Sequence, residues 1–247
     1  MDSRNARNTC IRWEPNRSAL RAAVVGIAIL LFSLAMIGTK DREVLSIFIR
    51  DILMILAAGF AIPLAVIAKE DGFPEYGLHG RKWYIYLPIN LALGVLLLGL
   101  FLWEAPPPAG FVPGVEVIGQ IAYIMLAGIF ETLVFYSYIR TAVERSFGII
   151  PGILAAAAFY SLHHAGFQPE FVKLFIVGIM YAVVFRLGNS ALLIFPFFWG
   201  VGGCYDVLVQ SEVVSEIRHA GVRAVVLACG MAIATVAILV RRRRPVL

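Results

Sequence analysis

Long apolar runs recur along this chain, and they constrain its fold more than any other feature. About eight runs, roughly 20–38, 45–68, 84–103, 114–139, 148–165, 169–187, 189–209 and 221–240, fill most of the 247 residues. Each reads as long enough for a hydrocarbon layer of ~30 Å at ~1.5 Å per helical residue. Within such a layer backbone N–H and C=O groups have no water to bond, so a spanning segment must satisfy them internally. The expected fold is therefore all-α, a polytopic membrane bundle of about eight transmembrane helices. Composition agrees: 60% of residues are hydrophobic and only 15% charged, against about 25% charged in a soluble domain. No sizeable soluble domain fits. The sixth and seventh runs are nearly continuous, with a hinge expected at Gly188-Asn189.

The formal charge of +5 does not point to nucleic acid, because the basic residues flank the apolar runs. There they set orientation and meet anionic lipid headgroups. Arg4, Arg7, Arg12, Arg17 and Arg21, then Lys69, Arg81 and Lys82, then Arg140 and Arg145, and finally Arg241 to Arg244 fall on one side of an even-numbered bundle. That side is expected to be the cytoplasm, with both termini in it. The EAPPPAG loop (104–110), free of Lys and Arg, then lies outside, as do Arg218 and Arg223. The first run is too long for the apolar core of a typical signal peptide and reads as retained. Arg greatly outnumbers Lys, a compositional hint of a GC-rich bacterial genome and hence of a bacterial inner membrane. The chain divides into a cytoplasmic segment 1–19, helices over 20–110, a core over 111–210, and a last helix with a basic tail over 211–247.

Several chemistries are excluded by what the sequence lacks. Cys10, Cys204 and Cys229 form no CxxC pair, and there is no HExxH, so neither a disulfide framework nor a zinc motif is expected. His163 and His164 are adjacent, and on a regular helix they would point about 100° apart, unsuited to sharing an ion. Ser137 and Ser161 sit in no nucleophile elbow, and Asp51 and Asp206 lie near span ends without the surroundings of an aspartyl dyad. No phosphate-cradling Gly loop is present. No cofactor is evident, no metal ligand set is assigned, and metal dependence and oligomeric state are left open.

What remains is Glu131, in the middle of GQIAYIMLAGIFETLVFYSYIR (119–140), and His163, near the end of GIIPGILAAAAFYSLHH (148–164). A carboxylate in hydrocarbon costs at least a few kcal/mol and usually faces a bundle interior or a wet cavity. Two such groups in consecutive spans suggest a shared site. One possibility is a Glu–His pair that orients and deprotonates water. The other is a buried hydrogen bond that ties two helices together. The assigned runs put Glu131 near mid-membrane and His163 nearer the outer surface, so helix tilt must bring them level. On an α-helix Tyr138, at i+7, shares the face of Glu131, while Tyr136 does not.

The segment ETLVFYSYI (131–139), then FYSLHH (159–164), then LGNSALLIF (187–195) resembles the CPBP family, the CAAX-type prenyl proteases and bacteriocin-processing (Abi) proteins. The family motifs are EExxxR, FxxxH, and a His with an Asn or Asp four residues on. Glu131 matches the first Glu, and Phe159 with His163 match FxxxH, 32 residues after it. The resemblance implies an eight-span intramembrane glutamic endopeptidase in which Glu131 and His163 activate water. Thr132 stands where the second Glu would be and Tyr136 where the Arg would be, so a helical i, i+4 ion pair is replaced by two neutral groups. No His occupies 197–199, where the third motif falls, and Asp206 lies further along. Tyr136, Tyr138, Tyr160, Tyr205 or a backbone N–H beside Gly200–Gly203 could supply oxyanion support instead. Thr132, Phe159 and His164 are further candidates for the site lining.

The implied activity is hydrolysis of a peptide bond near the terminus of a membrane-associated protein or peptide, with membrane lipids as the other partner. A catalytically silent scaffold, or an immunity protein that binds a peptide without cutting it, is the first alternative. A small proton-coupled transporter with Glu131 and His163 as its relay is the second, although no inverted repeat or paired broken helix supports it.

Overall fold

The computed structural model describes residues 9–39, 41–70, 72–104, 106, 114–166, 170–196, 200 and 217–243. Among them all regular structure is helical. We number the helices α1 (Arg17–Ile37), α2 (Glu43–Lys69), α3 (Trp83–Glu104), α4 (Val115–Phe147), α5 (Ile149–His163), α6 (Phe171–Gly188), α7 (Ala191–Pro196) and α8 (Ala220–Arg243). Six of these, α1 to α4, α6 and α8, are long and apolar enough to cross a membrane. The chain is thus a polytopic helical membrane bundle.

Two spans differ from the sequence expectation. α5 has 15 residues and rises only ~22 Å at ~1.5 Å per residue, short of a full crossing, because it ends at His163. Of the run at 189–209, only Asn189 to Pro196 and Gly200 are among the described residues. The hinge between α6 and α7 is present: Asn189 is left-handed at φ 44, and its N–H bonds to Phe185 O at 2.6 Å. Asn tolerates that conformation better than most residues.

α1 shows how the helices choose their faces. The Asn16 side chain caps it by accepting from Ala19 N at 3.0 Å. Its buried residues, Ala19, Ala22, Val25, Gly26, Ile29, Ser33 and Met36, recur every three or four positions, and Leu20, Val24, Ile27 and Leu31 face out. Small residues set the closest approaches, as expected where lipid removes the hydrophobic drive between helices. A Cβ on Gly119 of α4 would lie 2.8 Å from Gly221 Cα of α8. A Cβ on Gly178 of α6 would lie 2.9 Å from Ala157 Cα of α5. α3 is apolar all round and buries only Asn90 and Gly94. Asn90 Nδ2 donates to Leu192 O of α7 at 2.8 Å, which ties this peripheral helix to the bundle.

α4 and α2 are wound unusually. The α-winding of α4 gives way to π-winding over Thr132–Ile139, and that of α2 over Phe48–Ala61. α4 then resumes α-winding and runs to Phe147, eight residues past the predicted end of the span. Arg140 and Arg145, read from sequence as loop charges, are therefore helical. Arg140 is buried; its Nε donates to Tyr136 O at 2.9 Å and it pairs with Glu144, whose other oxygen accepts from Arg186 Nε at 2.8 Å. The turn into α5 is Gly148 at φ +98, a conformation that favours glycine. The segment before α1 clasps this turn: Arg12 N bonds to Phe147 O (2.9 Å), Glu14 N to Ser146 O (2.8 Å), and Ile149 N to Thr9 O (3.1 Å).

Candidate functional site

The α4–α5 hairpin brings Glu131 and His163 level. Counted from Gly148, Glu131 is 17 residues back and His163 is 15 residues on, about 26 and 23 Å of helix. The sequence expectation of different depths fails because α4 continues to Phe147 and so carries Glu131 farther from the turn. His163 Nε2 lies 3.1 Å from Glu131 Oε1. His163 is 1% exposed and the Glu131 side chain 11%, so the pair is nearly sealed, with a narrow edge at the carboxylate.

His164 joins the pair, contrary to the expectation that the two imidazoles diverge. The α-helix stops at His163 and a 3-10 turn, His164–Gly166, follows, so the 100° helical step no longer applies. The two rings stand 3.9 Å apart between centroids. His164 Nε2 is 3.7 Å from the same Glu131 Oε1. Both Nδ1 atoms reach one acceptor, the Tyr160 carbonyl, at 2.5 Å for His163 and 2.8 Å for His164. A carbonyl oxygen can accept two such bonds. With each Nδ1–H donating there, each Nε2 is left as an acceptor facing Glu131.

The same contacts resolve a backbone problem. A helix that ends inside a bilayer leaves its last carbonyls without partners. Here Tyr160 O takes the two imidazole N–H groups, and Ser33 Oγ of α1 donates to His163 O. Aromatic rings close around the pair: Phe135 lies 4.7 Å and Phe130 5.9 Å from the His163 ring, and Tyr160 lies 4.9 Å from that of His164.

The π-winding reorders the α4 side chains. In an i→i+5 pattern the residue five on, Tyr136, comes over Glu131, and the i+7 residue turns away. Accordingly Tyr136 packs against Tyr160 (5.7 Å) and Tyr181 (5.6 Å), within the aromatic wall of the histidines. Tyr138, the residue expected on the Glu131 face, instead packs against Tyr76 at 6.3 Å. Tyr76 lies in the segment between α2 and α3; burial pushes its phenol well up, so it stays a donor to Glu70 Oε2 at 2.9 Å. Thr132 and Tyr136 are buried, and neither hydroxyl has a hydrogen-bond partner among the described residues. The two are therefore not bonded to each other. Phe159 is turned from the imidazoles onto α1, where a Cβ on Gly26 would meet its ring at 2.7 Å. Tyr205, Asp206, residues 197–199 and residues 201–203 lie outside the described residues; Gly200 packs on α3, where its Cβ would meet Gly94 O at 2.7 Å.

A second buried charge cluster escaped sequence reasoning. Arg223 of α8 pairs with Asp51 of α2 through Nε–Oδ2 (2.7 Å) and NH2–Oδ1 (2.8 Å). Tyr123 of α4 donates to Asp51 Oδ1 at 2.6 Å and accepts from Arg223 NH2 at 2.8 Å. The partners are 172 residues apart, and no local spacing could have revealed them. Their mutual neutralisation explains how a cation is tolerated at the start of α8.

The bundle and its buried acid–imidazole cluster define a polytopic α-helical membrane protein with a polar site buried among its helices. Residues 113–204 match the family model of type II CAAX prenyl endopeptidase Rce1-like proteins. The matched stretch is similar to that family, in agreement with the CPBP resemblance carried by its motif residues. It contains Glu131, His163 and His164. No match was found among curated proteins or among solved structures.

Proposed function

We propose that the chain is an intramembrane endopeptidase of the CAAX type. It would hydrolyse a peptide bond near the terminus of a membrane-associated protein or peptide. The observation that carries this reading is the 3.1 Å approach of His163 Nε2 to Glu131 Oε1, within hydrogen-bond reach for acid–base work. His163 Nδ1 is engaged by Tyr160 O, so the pair needs one proton between Nε2 and Oε1. In the imidazolium–carboxylate form, Glu131 accepts a proton from water as the water oxygen attacks the peptide carbonyl. His163 then returns a proton to the leaving amine, and the pair is restored to its one-proton state. The Tyr136 hydroxyl is a reasonable donor to the developing oxyanion, because it is buried and has no partner among the described residues. Such a donor is typically worth ~2.7–4 kcal/mol.

The membrane is proposed to be a bacterial inner membrane, with both termini cytoplasmic on the strength of the clustered basic residues. The test is processing of a membrane-associated peptide by protein reconstituted in bilayers, run beside a melting curve for each variant. Glu131→Gln keeps size and hydrogen-bonding capacity but cannot take the proton. It should leave the melting temperature nearly unchanged and abolish processing. His163→Ala should lower processing by ~10²–10⁴-fold. Full processing by Glu131→Gln sinks the mechanism. No processing by the wild type, with stability falling in both variants, supports instead a silent protein whose Glu–His contact is a structural tie.

A further inference from the structure

The segment before α1 is held by its backbone and leaves its apolar side chains outside. Four main-chain hydrogen bonds tie it to the α4–α5 turn: Arg12 N to Phe147 O (2.9 Å), Glu14 N to Ser146 O (2.8 Å), Ile149 N to Thr9 O (3.1 Å) and Ile150 N to Cys10 O (3.1 Å). The two stretches approach so closely that a Cβ on Gly148 would lie 2.6 Å from Cys10 O. Yet Ile11 is 67% exposed and Trp13 81%, although the Trp13 ring lies 5.0 Å from that of Phe147. Large apolar side chains this exposed need a cover, and their position indicates which. Leu20, Val24, Ile27 and Leu31 form the outward face of α1, and Ile150 and Leu154 that of α5. In a spanning bundle such faces meet lipid. Ile11 and Trp13 lie just before α1 and beside the first turn of α5, so they continue the lipid-facing surface to its end. Hydrocarbon gives way to headgroups at that level, where Trp is enriched. Over residues 9–21 three cations, Arg12, Arg17 and Arg21, stand against one anion, Glu14. That net positive charge is complementary to anionic headgroups.

We propose that residues 9–16 form an interfacial anchor, in which Ile11 and Trp13 insert below the headgroups of an anionic lipid leaflet, and that this seating holds the α4–α5 turn closed. The turn is the base of the hairpin that brings Glu131 to His163. Lipid that pins the segment therefore slows opening of the turn. Leaflet charge then reaches the site through the backbone, without a lipid contact at the site itself. An effect of lipid on processing rests on the peptidase reading, but the anchor does not.

The experiment uses the full chain in nanodiscs of phosphatidylcholine, with or without an equal part of phosphatidylglycerol. Lipids brominated just below the headgroup quench tryptophan at that depth, and the Trp13 signal is the wild type minus Trp13→Phe. Amide hydrogen exchange is followed at Arg12, Glu14, Ile149 and Ile150, the donors of the four bonds. The expected result is strong quenching of Trp13 and exchange at those amides about tenfold slower in the anionic discs. That difference should vanish in high salt and in the double variant Ile11→Ser, Trp13→Ser. Should the double variant fail to fold, the wild-type comparison alone decides. Trp13 reached by iodide from the water and not by bromolipid overturns the proposal, as does exchange indifferent to leaflet charge. Trp13 shielded from both, in protein that sediments as a dimer, overturns it in favour of a second copy of the chain. Processing by the wild type should rise in the anionic discs, and equal processing in both lipids overturns the link from anchor to site. No processing in either lipid, with the exchange difference present, sinks the peptidase reading and leaves the anchor standing.

Discussion

Removing Arg223 should be among the most destabilising single changes outside the candidate site. Arg223 gives Asp51 two charge-assisted hydrogen bonds, at 2.7 and 2.8 Å, and gives Tyr123 one at 2.8 Å. Asp51 is 3% exposed, so Arg223→Met leaves a buried carboxylate with only the Tyr123 hydroxyl. Breaking a buried pair from one side costs about 3–5 kcal/mol, roughly a 10²- to 10⁴-fold shift in the folding equilibrium. Adding Asp51→Asn to Arg223→Met removes the stranded charge yet keeps an acceptor for Tyr123, and should recover most of the loss. Arg218→Ala is the internal control. That residue pairs with Glu43 at 3.1 Å, but both side chains are largely exposed, so its loss should cost at most about 1 kcal/mol. The assay is thermal unfolding in one detergent for all four proteins, with a reversible denaturation series to convert midpoints to free energies. An Arg223→Met protein within about 1 kcal/mol of wild type would refute the reasoning, since the cost of a stranded charge is several times larger. So would a double variant no better than the single, because it would show that the loss came from packing and not from charge.

Three further outcomes are expected. Ser33→Ala leaves the His163 carbonyl at the end of α5 without its donor; it should cost about 1–2 kcal/mol in a melting assay and lower processing by displacing the imidazole. Thr132→Glu places a second carboxylate beside Glu131 with no partner and should be strongly destabilising, whereas Thr132→Glu with Tyr136→Arg should regain much of the loss; equal melting of the single and double variants would show the positions are uncoupled. A cysteine introduced at Ala109, in the segment between α3 and α4, should react only with reagent supplied from outside, and labelling from the cytoplasmic side alone would overturn the proposed topology.

The long helices were legible because hydrocarbon requires an uninterrupted apolar run, and runs are a one-dimensional property. The α6–α7 hinge was legible for a similar reason, since Asn after Gly is a local stop signal. Glu131 and His163 stood out as ionisable residues in apolar sequence, and their 32-residue separation fits a helical hairpin. The end of α4 was not legible: Arg140–Phe147 is polar enough to read as loop, yet Arg140 pairs with Glu144, which also holds Arg186, and Arg145 approaches Glu75. That error set the depth of Glu131 wrongly. The exchange of Tyr136 for Tyr138 was hidden because α- and π-winding draw on the same residues, and a helical wheel assumes the first. His164 was misjudged on the same assumption, applied one residue past the point where the helix ends.

That ending links the fold to the chemistry. A helix that stops among apolar neighbours must find donors for its last carbonyls, and α5 finds them in its own final residues and in Ser33 of α1. His163 and His164 each turn an Nδ1–H back to Tyr160 O, which fixes the direction of each ring's other nitrogen. Both Nε2 atoms approach Glu131 Oε1, at 3.1 and 3.7 Å. Replacing either imidazole by an apolar side chain therefore removes a backbone donor and a site acceptor together. Asparagine at His164 separates these effects: its amide N–H can still reach a carbonyl one turn back, but it offers no second ring nitrogen. His164→Asn should accordingly melt closer to wild type than His164→Ala does. A His164→Asn protein that melts no higher than His164→Ala would mean that the contact with Tyr160 O is not what the imidazole contributes to stability.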